Sequence, residues 1–392
     1  MNDTIFDVIL AGGGVMGCAT AYYLMQADPA MRVAIVEKDP SYRYNSTVLS
    51  DGNTRLQFNL KENILISKYG LERLATFSDD MAVGDWRPEV DFRRQGNLFL
   101  TDEEHRASAQ AGLALQESLD CRVGWLEPDE VKRRFPLLDE RKFAGGVFGE
   151  LDGTMDPQAV LMAFRRKAVD LGAAFIEAEV AEILHARGKT QGVRLADGTT
   201  LTAGYVVNSA GAWGTQLART AGIELPVDPV MRQVFVLQTA AEPRESYPLI
   251  AFPSGLYLIQ EHGGRFMCGK SFEDDPVGFD FTVNQAKFME FLWPELVEYV
   301  PAFDRLKVTG GWAGLYAVNR FDGNAILGEW PGLEGFLLAN GFSGHGFQQC
   351  HAVGRYLAET IRGVEPFLDL SLFSPARIVN NAPVFEGRGK LV

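Results

Sequence analysis

The sequence predicts an α/β chain, α+β overall, with a Rossmann-type nucleotide-binding domain and an inserted antiparallel-sheet domain. Three observations carry this expectation. An apolar run at 5–11 leads into Gly12-Gly13-Gly14-Val15-Met16-Gly17, a helical pattern, and a second apolar run ending in Glu37. A later apolar run ends in the small residues Asn208-Ser209-Ala210-Gly211-Ala212 before Trp213. Residues 85–150 and 223–310 are rich in strand patterns that do not continue the strand–helix alternation.

The first strand is expected at about 5–11. A helix follows from Val15 to Asp28, halted by Pro29, and a second strand covers 31–37. Parallel strands need such a crossover. In Gly-x-Gly-x-x-Gly, Gly12 permits the tight turn, Gly14 lets backbone approach a pyrophosphate, and Gly17 lets the helix pack on the strand. The pyrophosphate sits at the positive helix N-terminus, at Val15 and Met16. Glu37, 20 residues past Gly17 and followed by Lys38, suits ribose hydroxyls. A polar loop from 39 to about 61 is long enough to imply function, and a helix is expected at 62–77.

In the inserted part, strands are expected at 95–100 and 143–148, with helices at 103–119 and from about Pro128. Asp156 caps a helix that begins at Pro157, runs to Leu171 and stops at Gly172. A strand at 173–177 and a hairpin at 192–201, turning at Asp197-Gly198, come next. The apolar strand from Tyr205 then reaches the small residues before Trp213. Further strands fall at 233–237, 255–259 and 265–269, with one helix at 284–299. A last buried strand at 336–340 runs into Gly341-Phe342-Ser343-Gly344-His345-Gly346-Phe347-Gln348 and a helix to Ile361. The expected domains are 1–84, 151–222 and 311–392 for the nucleotide, and 85–150 with 223–310 for the substrate.

At 392 residues and 46% hydrophobic content the chain has material for two cored domains. A net charge of −14 argues against nucleic acid as a partner. Cys18, Cys121, Cys268 and Cys350 form no C-x-x-C pair, and His105, His185, His262, His345 and His351 show no ligand spacing, so no metal or iron–sulfur site is expected. Reduced thiols, an N-terminus without a basic leader (Met1-Asn2-Asp3-Thr4) and no long apolar run give the expectation of a cytoplasmic protein without a membrane span. A serine hydrolase is excluded by the lack of a Gly-x-Ser-x-Gly elbow.

Together the N-terminal glycine motif, Val206-Val207-Asn208-Ser209-Ala210-Gly211-Ala212-Trp213 and Gly341-Phe342-Ser343-Gly344-His345-Gly346-Phe347 resemble the D-amino acid oxidase/sarcosine oxidase (glycine oxidase-like) superfamily of FAD enzymes. Trp312 to Asn319, read with the C-terminal motif, is similar to the branch holding sarcosine- and dimethylglycine-type β subunits and a complex I assembly flavoprotein. The resemblance implies FAD, with its pyrophosphate at Gly12, Gly14 and Gly17 and its adenosine ribose at Glu37. It implies Ser46, Thr47 and Ser50 near the diphosphate and flavin, and the Val180 backbone at adenine. It also implies Ala210, Gly211 and Trp213 along the channel, and backbone amides of Gly344, His345, Gly346, Phe347 and Gln348 at the flavin pyrimidine edge. The chemistry it implies is transfer of a hydride equivalent from a substrate C–H to flavin N5.

Two departures from that pattern matter. Ala313-Gly314-Leu315-Tyr316 lacks the cysteine that links flavin in monomeric sarcosine oxidases, and Arg43-Tyr44-Asn45-Ser46-Thr47 lacks an attachment histidine, so the FAD is expected to be non-covalent. Gln348 stands where sarcosine oxidases carry a lysine thought to activate oxygen, which favours a dehydrogenase. The acceptor, whether oxygen, quinone or a carrier protein, is open, as is a homo- or hetero-oligomeric state.

Arg55, in Asp51-Gly52-Asn53-Thr54-Arg55, resembles the Gly-Asp-Thr-Arg loop of sarcosine oxidases and suits a substrate carboxylate or anionic flavin; the alternative is a solvated surface arginine. His345 either poises a proton near neutral pH or serves through backbone alone. Tyr257 and Tyr316 on strands, and Lys270 with Ser271 at a strand end, are pocket candidates against a packing or surface role. Gln57 and Gln348 are further pocket candidates. Three functions are carried forward: an FAD-dependent oxidoreductase acting on the C–N bond of a small amine or amino acid of the sarcosine or N-substituted glycine kind, an FAD-dependent 2-hydroxy-acid dehydrogenase, and a flavin-bearing assembly or subunit protein without turnover of its own.

Overall fold

Strands Val8–Ala11 and Val33–Glu37 pair in parallel on either side of the helix Val15–Ala27 in the computed structural model, which describes residues 4–243, 245–261 and 263–386. Met1, Asn2, Asp3 and His262, which entered the sequence reading, lie outside the described residues.

These strands sit in a six-stranded sheet ordered Ile326–Glu329, Phe336–Asn340, Tyr205–Asn208, Val8–Ala11, Val33–Glu37, Ala174–Glu177. All pairs are parallel except the first, which is antiparallel. Both faces are covered, which is why these strands read as unbroken apolar runs. Val8, Leu10, Val33, Ile35 and Val207 pack on helices Val15–Ala27, Pro157–Asp170 and Gly346–Ile361. The alternate residues Ile9, Ala11, Ala34, Val36 and Val206 face Ile183, Val193 and Leu201 of a three-stranded antiparallel sheet spanning 180–202.

A second sheet has eight strands, ordered Leu306–Asn319, Val227–Thr239, Arg265–Gly269, Tyr257–Gln260, Leu249–Ala251, Asn97–Thr101, Gly145–Gly149, Val123–Leu126. One pair, Leu249–Ala251 with Asn97–Thr101, is parallel; the rest are antiparallel. Its outer core is built on Phe235, Phe266, Phe288, Leu296 and Phe303.

Several local expectations need correction. Strand Leu306–Asn319 is longer than the sequence pattern suggests and pairs with Val227–Thr239, with a bulge at Thr309 where the register shifts. The helix expected at 284–299 is three pieces, Gln285–Lys287, a π-helical turn Phe288–Leu292, and Trp293–Tyr299. Pro294 has no N–H to continue the i→i−4 ladder, and the turn widens where that bond is missing. The strand from Tyr205 stops at Asn208, and Gly211–Trp213 is a 3-10 turn. The four cysteines are buried and unpaired, and no helix among the described residues is long and apolar enough to cross a membrane.

Candidate active site

A cavity of about 640 Å³ runs between the carboxyl ends of the parallel strands and the inner face of the eight-stranded sheet. The end of an open parallel sheet is where ligands bind in such folds.

One wall is the glycine turn. The first helix starts at Gly14 with extended backbone and no side-chain cap, so its first-turn N–H groups have no capping acceptor from a side chain. Gly12 has φ +113°, and a Cβ there would lie 2.5 Å from the Ser209 carbonyl oxygen. A Cβ on Gly17 would overlap the Gly12 carbonyl, so Gly17 acts inside the turn rather than on the cavity wall. Gly12, Gly14, Val15 and Met16 are on the wall. Glu37 braces the turn: Oε2 accepts the Gly13 N–H at 2.8 Å and Oε1 accepts the Asp39 N–H at 2.9 Å. Burial pushes its carboxyl pKa up against these bonds.

Further along, Lys38 lies 4.1 Å from the Trp213 ring centroid and 3.8 Å from Glu179. Lys38, Val180, Ala210, Gly211 and Trp213 are all cavity-lining, as are Ser46, Thr47 and Ser50. The Ser46 hydroxyl donates to the Leu315 carbonyl at 2.7 Å, and Ser50 donates to Thr47 at 2.8 Å. From the C-terminal motif, Gly344, Gly346 and Phe347 line the cavity. Gly344 has φ +99°, and a Cβ there would run into the Tyr316 ring. His345 and Gln348 are off the wall. The His345 ring meets Phe58 edge-on at 5.3 Å, and the Gln348 side chain accepts the Arg55 N–H at 2.6 Å. A glycine cradle at an uncapped helix start, continued by a long channel to a second glycine-rich helix start, fits a dinucleotide with an attached ring.

The far end of the cavity is walled by Asp51, Arg232, Tyr257, Leu315 and Tyr316. Burial, and after it the Asp51 carboxylate, push the Tyr316 pKa up to about 12 against the pull of Arg232. Tyr257 is raised well above its usual value, first by burial and then by Asp51. Both phenols are therefore neutral donors at neutral pH. Burial also raises the Asp51 carboxyl.

Sequence reading missed Arg232. It projects from the middle of Val227–Thr239, and its guanidinium carbon is 5.5 Å from the Tyr316 ring centroid. Nη1 donates to Asp275 Oδ2 at 2.6 Å, while the buried Nε has no hydrogen-bond partner among the described residues. The available signal was the face Val230, Arg232, Val234, Val236, a single cation among valines at strand spacing.

Other candidates sit elsewhere. Lys270 is off the cavity wall because its amine is 2.7 Å from Glu295 Oε2, a neighbour only the folded chain supplies. Ser271 is exposed. Gln57 is buried and donates to the Asn97 and Val147 carbonyls at 3.2 Å each, which makes it a sheet brace. Arg55 is only 7% exposed, so it is not a surface arginine. Its guanidinium carbon lies 4.9 Å from the Phe58 ring centroid and 5.1 Å from that of Phe99, behind the cavity wall.

Comparison with known proteins is consistent with this geometry. Residues 7–360 match the DAO family model, described as FAD dependent oxidoreductase. FAD-dependent oxidoreductase domain-containing protein 1 of Xenopus laevis is 35% identical, over 97% of this chain and 84% of that protein. Glycine oxidase of Pseudomonas putida is 32% identical over 50% of this chain and 52% of its own length. Among solved structures, L-proline dehydrogenase from P. horikoshii superposes with a TM-score of 0.86 at 26% identity, over 97% of this chain and all (100%) of that one.

Proposed function

The chain belongs to the DAO family of FAD-dependent oxidoreductases, and on that premise we propose that it oxidises the carbon–nitrogen bond of a small amino acid, of the N-substituted glycine kind, and hands the electrons to an acceptor other than oxygen. The observation that carries this reading is that one cation, Arg232, and one carboxylate, Asp51, both line the cavity and both act on Tyr316. A zwitterionic amino acid needs one cation for its carboxylate and one anion for its amine. A 2-hydroxy acid has no ammonium charge to match the second. Glycine oxidase and L-proline dehydrogenase, by their names, act on amino acids, and the nitrogen of proline is a secondary amine.

Gly12, Gly14, Val15 and Met16 would hold the FAD pyrophosphate, and Gly344, Gly346 and Phe347 would bracket the ring. Bound FAD supplies the two-electron acceptor. Arg232 supplies the cation for a carboxylate, its guanidinium held through Nη1 by Asp275. Tyr316 and Tyr257 donate hydrogen bonds without taking protons. Asp51, its pKa raised by burial, takes the proton that an ammonium group must lose before its C–H bond can be oxidised. The preference against oxygen rests on Gln348, which is neutral and tied to the Arg55 backbone where sarcosine oxidases carry a lysine.

Anaerobic mixing of the yellow holoprotein with sarcosine, L-proline and glycine, and separately with lactate and glycolate, tests the reading. Amino acids should bleach the oxidised flavin band, and Arg232→Met should weaken the response at least tenfold or so in apparent affinity. Bleaching by hydroxy acids alone would replace the reading with the 2-hydroxy-acid dehydrogenase. No bleaching by any of them, with tight co-purification of a partner, would favour a flavin-bearing subunit. Stoichiometric peroxide release during turnover in air would overturn the choice of acceptor.

A further inference from the structure

Arg232, Asp275 and Lys287 form a triad at the substrate end of the cavity, with side chains 19%, 3% and 12% exposed. Asp275 Oδ2 accepts from Arg232 at 2.6 Å and from the Phe272 N–H at 2.9 Å, while Oδ1 accepts from Lys287 at 2.6 Å. Asp274, the next carboxylate, is 3.4 Å from Lys287 but 83% exposed, so solvent screens it. Two cations and one anion leave one positive charge largely withdrawn from water, and a buried charge calls for a counter-charge.

Asp275 also lies near the start of a segment that packs against the cavity wall from outside. Residues 272–284 run along the edge of Val227–Thr239, with Met231 donating to the Pro276 carbonyl at 2.9 Å and Gly278 to Pro229 at 2.8 Å. The segment returns to that strand where the Asn284 N–H donates to the Gln233 side chain at 2.6 Å. Between these anchors Phe279 stacks on Trp213 at 5.1 Å between centroids, and Phe281 meets Tyr44 at 4.4 Å. Trp213 and Tyr44 both line the cavity. Val277 is 66% and Phe279 40% exposed, so the middle of this strap is an outer layer, while Phe281 and Val283 pack against the core of Ala212, Met231, Ala313 and Leu315.

We propose that Asp275 is a positioning residue that couples two events: it holds Arg232 in place for a substrate carboxylate, and it pins the strap whose Phe279 and Phe281 back Trp213 and Tyr44 of the cavity wall. The substrate half rests on the reading given under Proposed function; the strap half stands without it. Arg232 satisfied by a substrate carboxylate strengthens the net charge balance of the triad, so substrate binding and cofactor retention reinforce one another.

The test uses the flavin-loaded protein and the variants Asp275→Ala, Asp275→Glu and Phe279→Ala. Flavin fluorescence after dilution reads FAD release. Perturbation of the flavin absorption spectrum by pyrrole-2-carboxylate reads the Arg232 site. Asp275→Ala should release FAD about tenfold faster and, because Arg232 loses the bond that holds it in place, bind the carboxylate about tenfold more weakly despite the added positive charge. Asp275→Glu should recover much of both. Phe279→Ala, which leaves the triad intact, should speed release while leaving carboxylate affinity within about twofold. A wild-type release rate in a folded Asp275→Ala protein overturns the coupling, and so does faster release with unchanged carboxylate affinity. If wild-type protein binds no carboxylate, the reading of the cavity fails, and the release rates of Asp275→Ala and Phe279→Ala decide the strap.

Discussion

The side-chain oxygen of Gln348 accepts the backbone N–H of Arg55 at 2.6 Å, joining the first turn of helix Gly346–Ile361 to a loop 293 residues earlier. Arg55 is otherwise enclosed by the Phe58 and Phe99 rings. The bond ties the loop after the nucleotide unit to the helix start that would carry the flavin ring.

Gln348→Ala strands the Arg55 N–H in a buried place, at a cost of about 1–3 kcal/mol. Thermal unfolding of the holoprotein should show a lower midpoint for Gln348→Ala, while Gln348→Glu, which keeps an acceptor, should stay closer to the parent. Equal midpoints for all three would mean that the bond carries no net stability.

Gly17→Ala places a methyl group inside the Gly12 carbonyl, and the turn cannot open without moving Ser209 as well. The variant should fold with diminished FAD content. Purified protein with the parental ratio of flavin absorbance to protein absorbance would refute this.

The cavity wall contains no cysteine or histidine among the described residues. FAD is therefore expected to come free on acid precipitation, with yellow colour in the supernatant. Colour that stays with the pellet would mean a covalent bond.

Asp152 is fully buried and accepts only the Leu56 N–H, through Oδ1 at 3.0 Å; its Oδ2 has no partner among the described residues. Gln57 Oε1 is likewise unpartnered, and both Asp152 Oδ2 and the Gln57 amide carbon border the space above Gly149. Burial pushes the Asp152 carboxyl up to about 7, against the pull of the Leu56 N–H and Arg55. Its folded value lies above the unfolded value of about 4. The native state then binds more protons between these limits, so stability falls as pH rises from about 4 to about 7 and levels off above that. Asp152→Asn supplies a neutral donor at every pH. It should flatten this part of the stability profile and raise the unfolding midpoint at pH 8 relative to the parent. A parallel profile for the two proteins would show that Asp152 does not titrate in this range.

Much of the cofactor half was legible because its signals are local. The glycine spacing from Gly12 to Gly17, the uncapped start at Gly14 and the terminal carboxylate of Val33–Glu37 lie within one βαβ unit. Asp156 does cap its helix, accepting from the Gln158 and Ala159 N–H groups at 2.8 and 3.0 Å. The substrate candidates depend on partners far away in the chain. Tyr257 and Tyr316 line the cavity, whereas Lys270 is held by Glu295 and Arg55 lies behind the wall. No local pattern tells a strand-end lysine which acid it will meet.

By itself, then, the sequence determined the nucleotide turn, the alternating two-faced packing of the parallel strands and the second glycine-rich helix start, since backbone sterics and side-chain period act over a few residues. Only the tertiary structure decided that Arg232 rather than Lys270 faces the cavity, that Asp275 holds it, and that Phe279 and Phe281 lie across Trp213 and Tyr44. These contacts join positions 43 to more than 200 residues apart, and their partners are chosen by how two sheets stack rather than by anything adjacent in the chain.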